Sequence, residues 1–271
     1  MRLHALCRTI ASRLRPAAPG RRIIVHIGPH KTGSTTIQAL LRQNRHRLAP
    51  LEVICPGDPR LDRIHRIARA AIRPHGAAKH ADAYCAAAAR LARDCRHLPV
   101  VLISNEGLLG PMPTQFGVTG LYLAGGANLA SLVSGLARHG AEVEVVFYRR
   151  EMNAWTRSLI AHLGADGLTP EGFRTAHRIP HHWAGLLRRL RADLGAAAPG
   201  ARLSVIDFDE DAGPTLGSAL LRRAGVTETV LASLAWPAPR RVRSADATDP
   251  KDESAPLSDS TTRARKCSAQ E

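Results

Sequence analysis

The sequence predicts an α/β fold, a parallel β-sheet flanked by helices. Three observations predict it. Short β-branched runs alternate with longer amphipathic segments, the pattern of strands joined by crossover helices. The first run, residues 21–28, ends in a glycine-rich loop that leads straight into an apolar helical stripe. The 271 residues suffice for one large domain or two small ones, with a substantial core.

Taken in order, "RRIIVHIG" (21–28) reads as a buried strand. The following helix carries Ile37, Leu40, Leu41 and Leu48 on one face, with Ser34 or Thr35 suited to its cap. "LEVICPG" (51–57) is a second short strand, and helices follow near 60–72 and 80–96. The latter is alanine-rich, with Tyr84, Leu91 and Cys95 on one stripe. "LPVVLISNEGL" (98–108) is a strand running into a turn, and 110–126 has too much glycine and proline for a helix. A helix over 127–139, a strand over 141–150 and a helix over 151–163 come next. Thr169-Pro170 opens a short helix. Residues 180–195 give the cleanest amphipathic helix, with Trp183, Leu186, Leu187, Leu190 and Leu194 inward and Arg188, Arg189 and Arg191 outward. A strand over 201–208 and a last helix over 214–224 complete the domain. The expected division is a basic N-terminal tail (1–20), an α/β domain (21–239) and a disordered polar C-terminal tail (240–271). Leu3, Leu6, Ile10 and Leu14 form one stripe among the arginines of the first segment.

The formal charge is +15, from 38 Lys+Arg against 23 Asp+Glu, which favours anionic partners. Aromatics are only 4%, so an interleaved basic and aromatic surface for single-stranded nucleic acid is poorly supported, and no specific nucleic-acid partner is expected. Five scattered cysteines without a CxxC pair argue against a disulfide framework and a zinc site, and point to a reducing cytoplasm. No apolar run reaches the ~18–20 residues of a membrane span, and the first residues lack the continuous apolar stretch of a secretory signal.

In a parallel sheet flanked by helices, ligands bind at the carboxyl ends of the strands. The loops after the strands near 23–27, 99–104 and 143–148 therefore share one mouth. In "GPHKTGSTT" (28–36), Gly28 and Gly33 allow a tight turn and a close backbone approach to a ligand. The helix starting near Ser34 aims unpaired N–H groups into the loop, and Lys31 adds a full charge. The Gly28-x4-Gly33 spacing fits a Walker A loop, but the slot for its lysine holds Ser34. The dipeptide that would reach both phosphate and Mg²⁺ is missing, so the loop suits an anion that lacks a metal or carries one differently, and the expectation is no metal.

The "HKTGSTT" stretch resembles the 5′-phosphosulfate-binding loop of the sulfotransferases, whose donor is 3′-phosphoadenosine 5′-phosphosulfate (PAPS). The resemblance implies a P-loop NTPase-like three-layer sandwich of bacterial type. It also implies that Lys31 reaches the 5′-phosphate and the oxygen bridging to sulfur, with His30, Thr32, Gly33, Ser34, Thr35 and Thr36 completing the loop. "VVFYRREMNAWTRSLIAHL" resembles the family's 3′-phosphate segment, with Arg150 at the strand end and Ser158 eight residues later. Eight residues of helix rise ~12 Å, and Arg149 competes for the same role. Glu106, in "ISNEGL", sits just past a buried strand and resembles the family's base for the acceptor hydroxyl. His30, His177, His181 and His182 are rivals for that task. The family's late Arg-Lys-Gly-x-x-Gly segment is absent, and "PRRVRS" (239–244) is only loosely similar. The expected function is sulfuryl transfer to an acceptor hydroxyl, carbohydrate or lipid among the options. The alternatives are a P-loop kinase or NTPase using Asp207 near Mg²⁺, and a non-catalytic nucleotide- or polyanion-binding module.

Overall fold

Five strands form one sheet: β1 (Arg22–His26), β2 (Glu52–Ile54), β3 (Val100–Ser104), β4 (Glu142–Arg149) and β5 (Arg202–Asp207). Their order is β2-β3-β1-β4-β5, and every pairing is parallel. The computed structural model describes residues 20–71, 74–117, 119–165 and 167–238. The expected N-terminal stripe and the segment from 239 onward lie outside the described residues.

The helices are α1 (Ser34–Gln43), α2 (Pro59–Ala70), α3 (Pro74–Asp94), α4 (Gly125–Ala137), α5 (Met152–Leu163), α6 (Pro170–His177), α7 (Ala184–Ala197), α8 (Phe208–Asp211), α9 (Ser218–Arg223) and α10 (Glu228–Ser233). Side chains alternate across the sheet, so β1 sends Ile23, Val25 and Ile27 to one face and Ile24 to the other. The first face is covered by α2, α3, α4, α5 and α7. The second packs on Ile37, Leu40 and Leu41 of α1, Leu220 and Leu221 of α9, and Leu231 of α10. The result is a three-layer α/β sandwich whose central strand is buried from Ile23 to His26, as expected for a parallel sheet.

Small side chains let two of these helices approach closely. A Cβ on Gly135 of α4 would lie 2.3 Å from the Cys85 carbonyl and 2.6 Å from the Ala88 Cβ, both in α3. The alanine-rich composition of α3 follows from that contact, while Tyr84, Leu91 and Cys95 are buried as their stripe predicts.

Some expected boundaries move. The helix expected to reach Leu48 stops at Gln43, where Asn44 caps it with Nδ2 donating to the Leu40 carbonyl at 2.9 Å. Leu48 is nevertheless buried, in the turn beyond. The last expected helix shrinks to α9, because Asp211 sets its start. Asp211 accepts from Gly217 N (2.8 Å), Ser218 Oγ (2.9 Å) and Ala219 N (3.0 Å), and also from Tyr148 Oη (2.7 Å). The short helices α8 and α10 were not anticipated; neither is long enough to show a full apolar period.

His26, the last residue of β1, is wholly buried. Its Nδ1 lies 2.8 Å from Ser104 Oγ, and its ring meets Tyr148 edge-on with centroids 5.0 Å apart. Burial holds its pKa down to about 3, against an ordinary 6.5. The unfolded chain therefore binds a proton below about pH 6.5 that the folded chain refuses until about pH 3, so stability falls as pH drops through that window. The expected slope from this residue is about 1.4 kcal/mol per pH unit. Urea unfolding between pH 7 and 4 should show a steeper loss for the wild type than for His26→Gln; parallel slopes would remove His26 from the acid response.

Candidate functional site

The mouth of the sheet is built around the end of β1. Ile27 still bonds to the sheet, donating to the Val146 carbonyl at 3.0 Å, and the chain then turns at Gly28. No side chain fits there: a Cβ would lie 2.8 Å from Thr32 Oγ1 and 2.9 Å from His26 Nε2. Thr32 Oγ1 donates to the Pro29 carbonyl at 2.7 Å and closes the loop on itself. Lys31 (φ 71) and Gly33 (φ 77) both take the left-handed conformation. For a lysine that is a strained state, costing about 1–3 kcal/mol. Neighbouring segments hold it: Trp155 Nε1 donates to the His30 carbonyl at 2.7 Å, and Arg150 Nη1 to the Lys31 carbonyl at 3.2 Å.

Neither Ser34 nor Thr35 caps α1. Gly33 occupies the cap position in its left-handed state, and no side chain bonds there. Ser34 is drawn into the first turn, where its buried Oγ has no hydrogen-bond partner among the described residues. The first helical bonds run from Thr36 N and Ile37 N to the Gly33 carbonyl. The amides of Thr32, Gly33, Ser34 and Thr35 donate to nothing among the described residues. Four free donors at a helix N-terminus make an anion cradle. Thr35 is exposed and Thr36 half-buried.

Two cations share this loop. Burial lowers the Lys31 pKa below its ordinary value, and the neighbouring Arg150 guanidinium lowers it further. Arg150 lies over the Phe208 ring, 5.0 Å from its centroid, and its Nε is buried without a partner. Trp183 Nε1 donates to the Arg150 carbonyl at 2.6 Å and fixes that end of the strand. Among the described residues neither Lys31 nor Arg150 pairs with a carboxylate. Arg149 points elsewhere. It binds Asp207 through two hydrogen bonds of 2.5 and 2.7 Å on the exposed edge of β4 and β5. That pair occupies the aspartate on which an Mg²⁺-binding reading would depend.

Glu106 opens a 3₁₀ turn directly after β3, the strand beside β1. Asn105 Oδ1 accepts from Gly107 N at 2.8 Å and shapes the turn. Gln38 of α1 donates from Nε2 to Glu106 Oε2 at 2.7 Å, which ties the carboxylate to the helix of the anion loop. The Glu106 charge acts on both His30 and His65, raising the pKa of each against burial. Ser158 is half-buried, on the α5 face that carries Trp155 three residues earlier and His162 four later. Trp155 touches the loop and His162 acts electrostatically on His30, so that face of α5 looks onto the loop. The rival histidines sit on the α6 side: His177 against the Phe173 ring at 4.5 Å, and His181 Nδ1 3.2 Å from Arg174 Nη2. His182 is exposed.

Several contributors left no trace in the sequence. His65, Tyr122, Trp155, Trp183, Phe208 and Leu216 meet the loop or its immediate supports from distant positions, and Gln38 reaches Glu106 from the helix that follows the loop. Leu216 Cδ2 would lie 2.6 Å, and Phe208 Cε2 3.0 Å, from a Cβ on Gly33.

No family model matches the chain, and no curated protein matches it. Among solved structures, the chain is similar to one described as the crystal structure of APE1195, with 13% identity, a TM-score of 0.38, and coverage of 79% of this chain and 99% of that one. A second is from the PezAT chromosomal toxin-antitoxin system of Streptococcus pneumoniae, with 14% identity, a TM-score of 0.32, and coverage of 85% and 90%.

Gly33→Ala forces a Cβ into a left-handed position against Leu216. It should destabilise the fold by about 1–3 kcal/mol in urea denaturation, and Leu216→Ala should recover part of that loss. An unchanged midpoint in the single variant would show that the turn relaxes freely.

Proposed function

We propose that the chain is a sulfotransferase, moving a sulfuryl group from PAPS to an acceptor hydroxyl, carbohydrate or lipid among the candidates. One observation carries the reading: Lys31 and Arg150, two cations without carboxylate partners among the described residues, meet at four amides that no described residue claims. Such a cradle is incomplete without a multivalent anion. The lysine precedes Gly33 instead of following it, as in the resembling sulfotransferase loop.

The residues fit the donor. The loop amides and Ser34 Oγ would hold the 5′-phosphosulfate, and Arg150 with Ser158 the 3′-phosphate. Glu106, held at one oxygen by Gln38, keeps the other to accept the proton of the attacking hydroxyl. The new O–S bond forms as the sulfur–phosphate oxygen bond breaks in line, and adenosine 3′,5′-bisphosphate leaves. Lys31 offsets the charge that builds on that leaving oxygen. The ATP-dependent reading has less support. Asp207 lies on β5, two strands and so about 10 Å from β1, and it is bound by Arg149.

The first test is nucleotide selectivity. At about 100-fold over Kd, adenosine 3′,5′-bisphosphate should raise Tm by roughly 5–10 °C. Both 5′-AMP and ATP–Mg²⁺ should do far less, and EDTA should change nothing. Equal shifts for bisphosphate and 5′-AMP would sink the 3′-phosphate assignment, and preference for ATP–Mg²⁺ would favour phosphoryl transfer.

Glu106→Gln should keep the Gln38 side of the turn and lower sulfuryl transfer by about 10²–10⁴, with bisphosphate affinity retained. Turnover near the wild-type rate would take the base role from Glu106.

A further inference from the structure

Tyr122 stands 92 residues from the anion loop in sequence and is buried against it. Its backbone is left-handed (φ 48), an uncommon state for a bulky residue. Its carbonyl accepts from Gly125 N at 2.9 Å, which anchors it to the start of α4. From there its hydroxyl reaches His30 twice. The His30 backbone N–H donates to Tyr122 Oη at 3.0 Å, and His30 Nδ1 lies 3.0 Å from the same oxygen. The two rings lie nearly parallel, 10° apart, with centroids at 6.0 Å.

The hydrogens can be assigned by elimination. A backbone N–H can only donate, so Tyr122 Oη accepts there. The hydroxyl has one proton to give, and among the described residues its other neighbour within hydrogen-bond distance is His30 Nδ1. If Nδ1 carried the proton instead, the buried hydroxyl would be left with no acceptor among the described residues, a costly state for a buried donor. The hydroxyl therefore donates to Nδ1, and the proton of the imidazole sits on Nε2.

We propose that Tyr122 is a positioning residue that locks His30 as its Nε2–H tautomer. His30 then acts as a neutral hydrogen-bond donor to an oxyanion oxygen of the ligand in the loop, and not as a proton acceptor. Naming that ligand as the sulfuryl donor rests on the function proposed above; the tautomer does not. The charged and titratable groups acting on His30 are Glu106, His65, His162 and Lys31. Burial dominates, with Glu106 pulling the other way, and the imidazole stays neutral down to about pH 4. A donor without charge suits a place next to Lys31 and near Arg150, where a third cation would be repelled. It also removes His30 from contention as the base, because Nδ1 is occupied and Nε2 is already protonated.

The test is ¹⁵N-histidine NMR on the full chain at pH 7, with the His30 signals identified by their loss in His30→Gln. The expected result is an unprotonated Nδ1 and a protonated Nε2 in the wild type, and a mixture of tautomers in Tyr122→Phe, which keeps the ring and loses both hydroxyl contacts. An Nδ1–H tautomer in the wild type, or the same single tautomer in both proteins, would overturn the proposal. Adding adenosine 3′,5′-bisphosphate should move the Nε2–H signal; a nucleotide that raises Tm without moving it would refute the donor role. If that nucleotide does not bind, the PAPS reading fails and inorganic sulfate replaces it as probe. A shifted Nε2–H signal with sulfate supports the donor role, and an unmoved one rejects it. Gln keeps a neutral donor and cannot act as a base, so His30→Gln should hold whichever probe binds within a few-fold of wild type, while His30→Ala should lose about tenfold or more. Equal losses in the two variants would count against a donor.

Discussion

The site depends on where β1 lies. It is the middle strand of five, paired with β3 on one side and β4 on the other, and Ile23, Ile24 and Val25 are fully buried. A strand enclosed by both neighbours and by helices on both faces can leave the sheet only over its carboxyl end. The turn there is compressed further by His26 and Thr32, which leave Gly28 no room for a side chain. The same turn delivers the N-terminus of α1, so the tightness of the loop and the lack of acceptors for its amides among the described residues share one cause. Loops after β3 and β4 end beside it because parallel pairing puts all carboxyl ends on one edge.

The charge of the mouth follows from strand alternation. Arg149 and Arg150 are adjacent, yet they face different partners. Arg149 is paired in register with Asp207, and its guanidinium stays on that edge. Arg150, one residue past the strand, turns to the loop and bonds the Lys31 carbonyl. The sheet thus neutralises one arginine and leaves its neighbour to share a loop with a lysine. Two partly desolvated like charges are held together by backbone contacts, and a bound dianion would relieve the repulsion between them.

Most of the fold was legible in the sequence. All five strands and the main helices have clear periodicity, because each buries a regular face: Leu186, Leu187, Leu190 and Leu194 on α7 are the plainest case. The loop was legible for a different reason, as glycine spacing and an unusual lysine are local signals. What was not legible depends on contacts between distant segments. Nothing near Tyr122 distinguishes it from any residue of a glycine-rich loop, and its contacts with His30 appear only once the loop ahead of α4 has folded. The cap of α1 was misread because Ser34 and Thr35 have ordinary capping chemistry, while the left-handed Gly33 ends the loop before either can act. Asp211 was hidden in an acidic stretch that looks solvated, yet it accepts three hydrogen bonds at the start of α9 and a fourth from Tyr148 of β4.

The two indoles at the mouth have an optical consequence. The chain contains three tryptophans, and two of them, Trp155 and Trp183, spend their N–H groups on the carbonyls of His30 and Arg150. Their rings also meet each other at 5.0 Å, near perpendicular. Both chromophores are therefore wired to the backbone of the segments that carry Lys31 and Arg150, and both are shielded from water. Any rearrangement of the loop must lengthen or reorient at least one of these bonds, and the emission of a buried indole responds to its local field. The two indoles therefore form a fluorescent gauge of the backbone at His30 and Arg150.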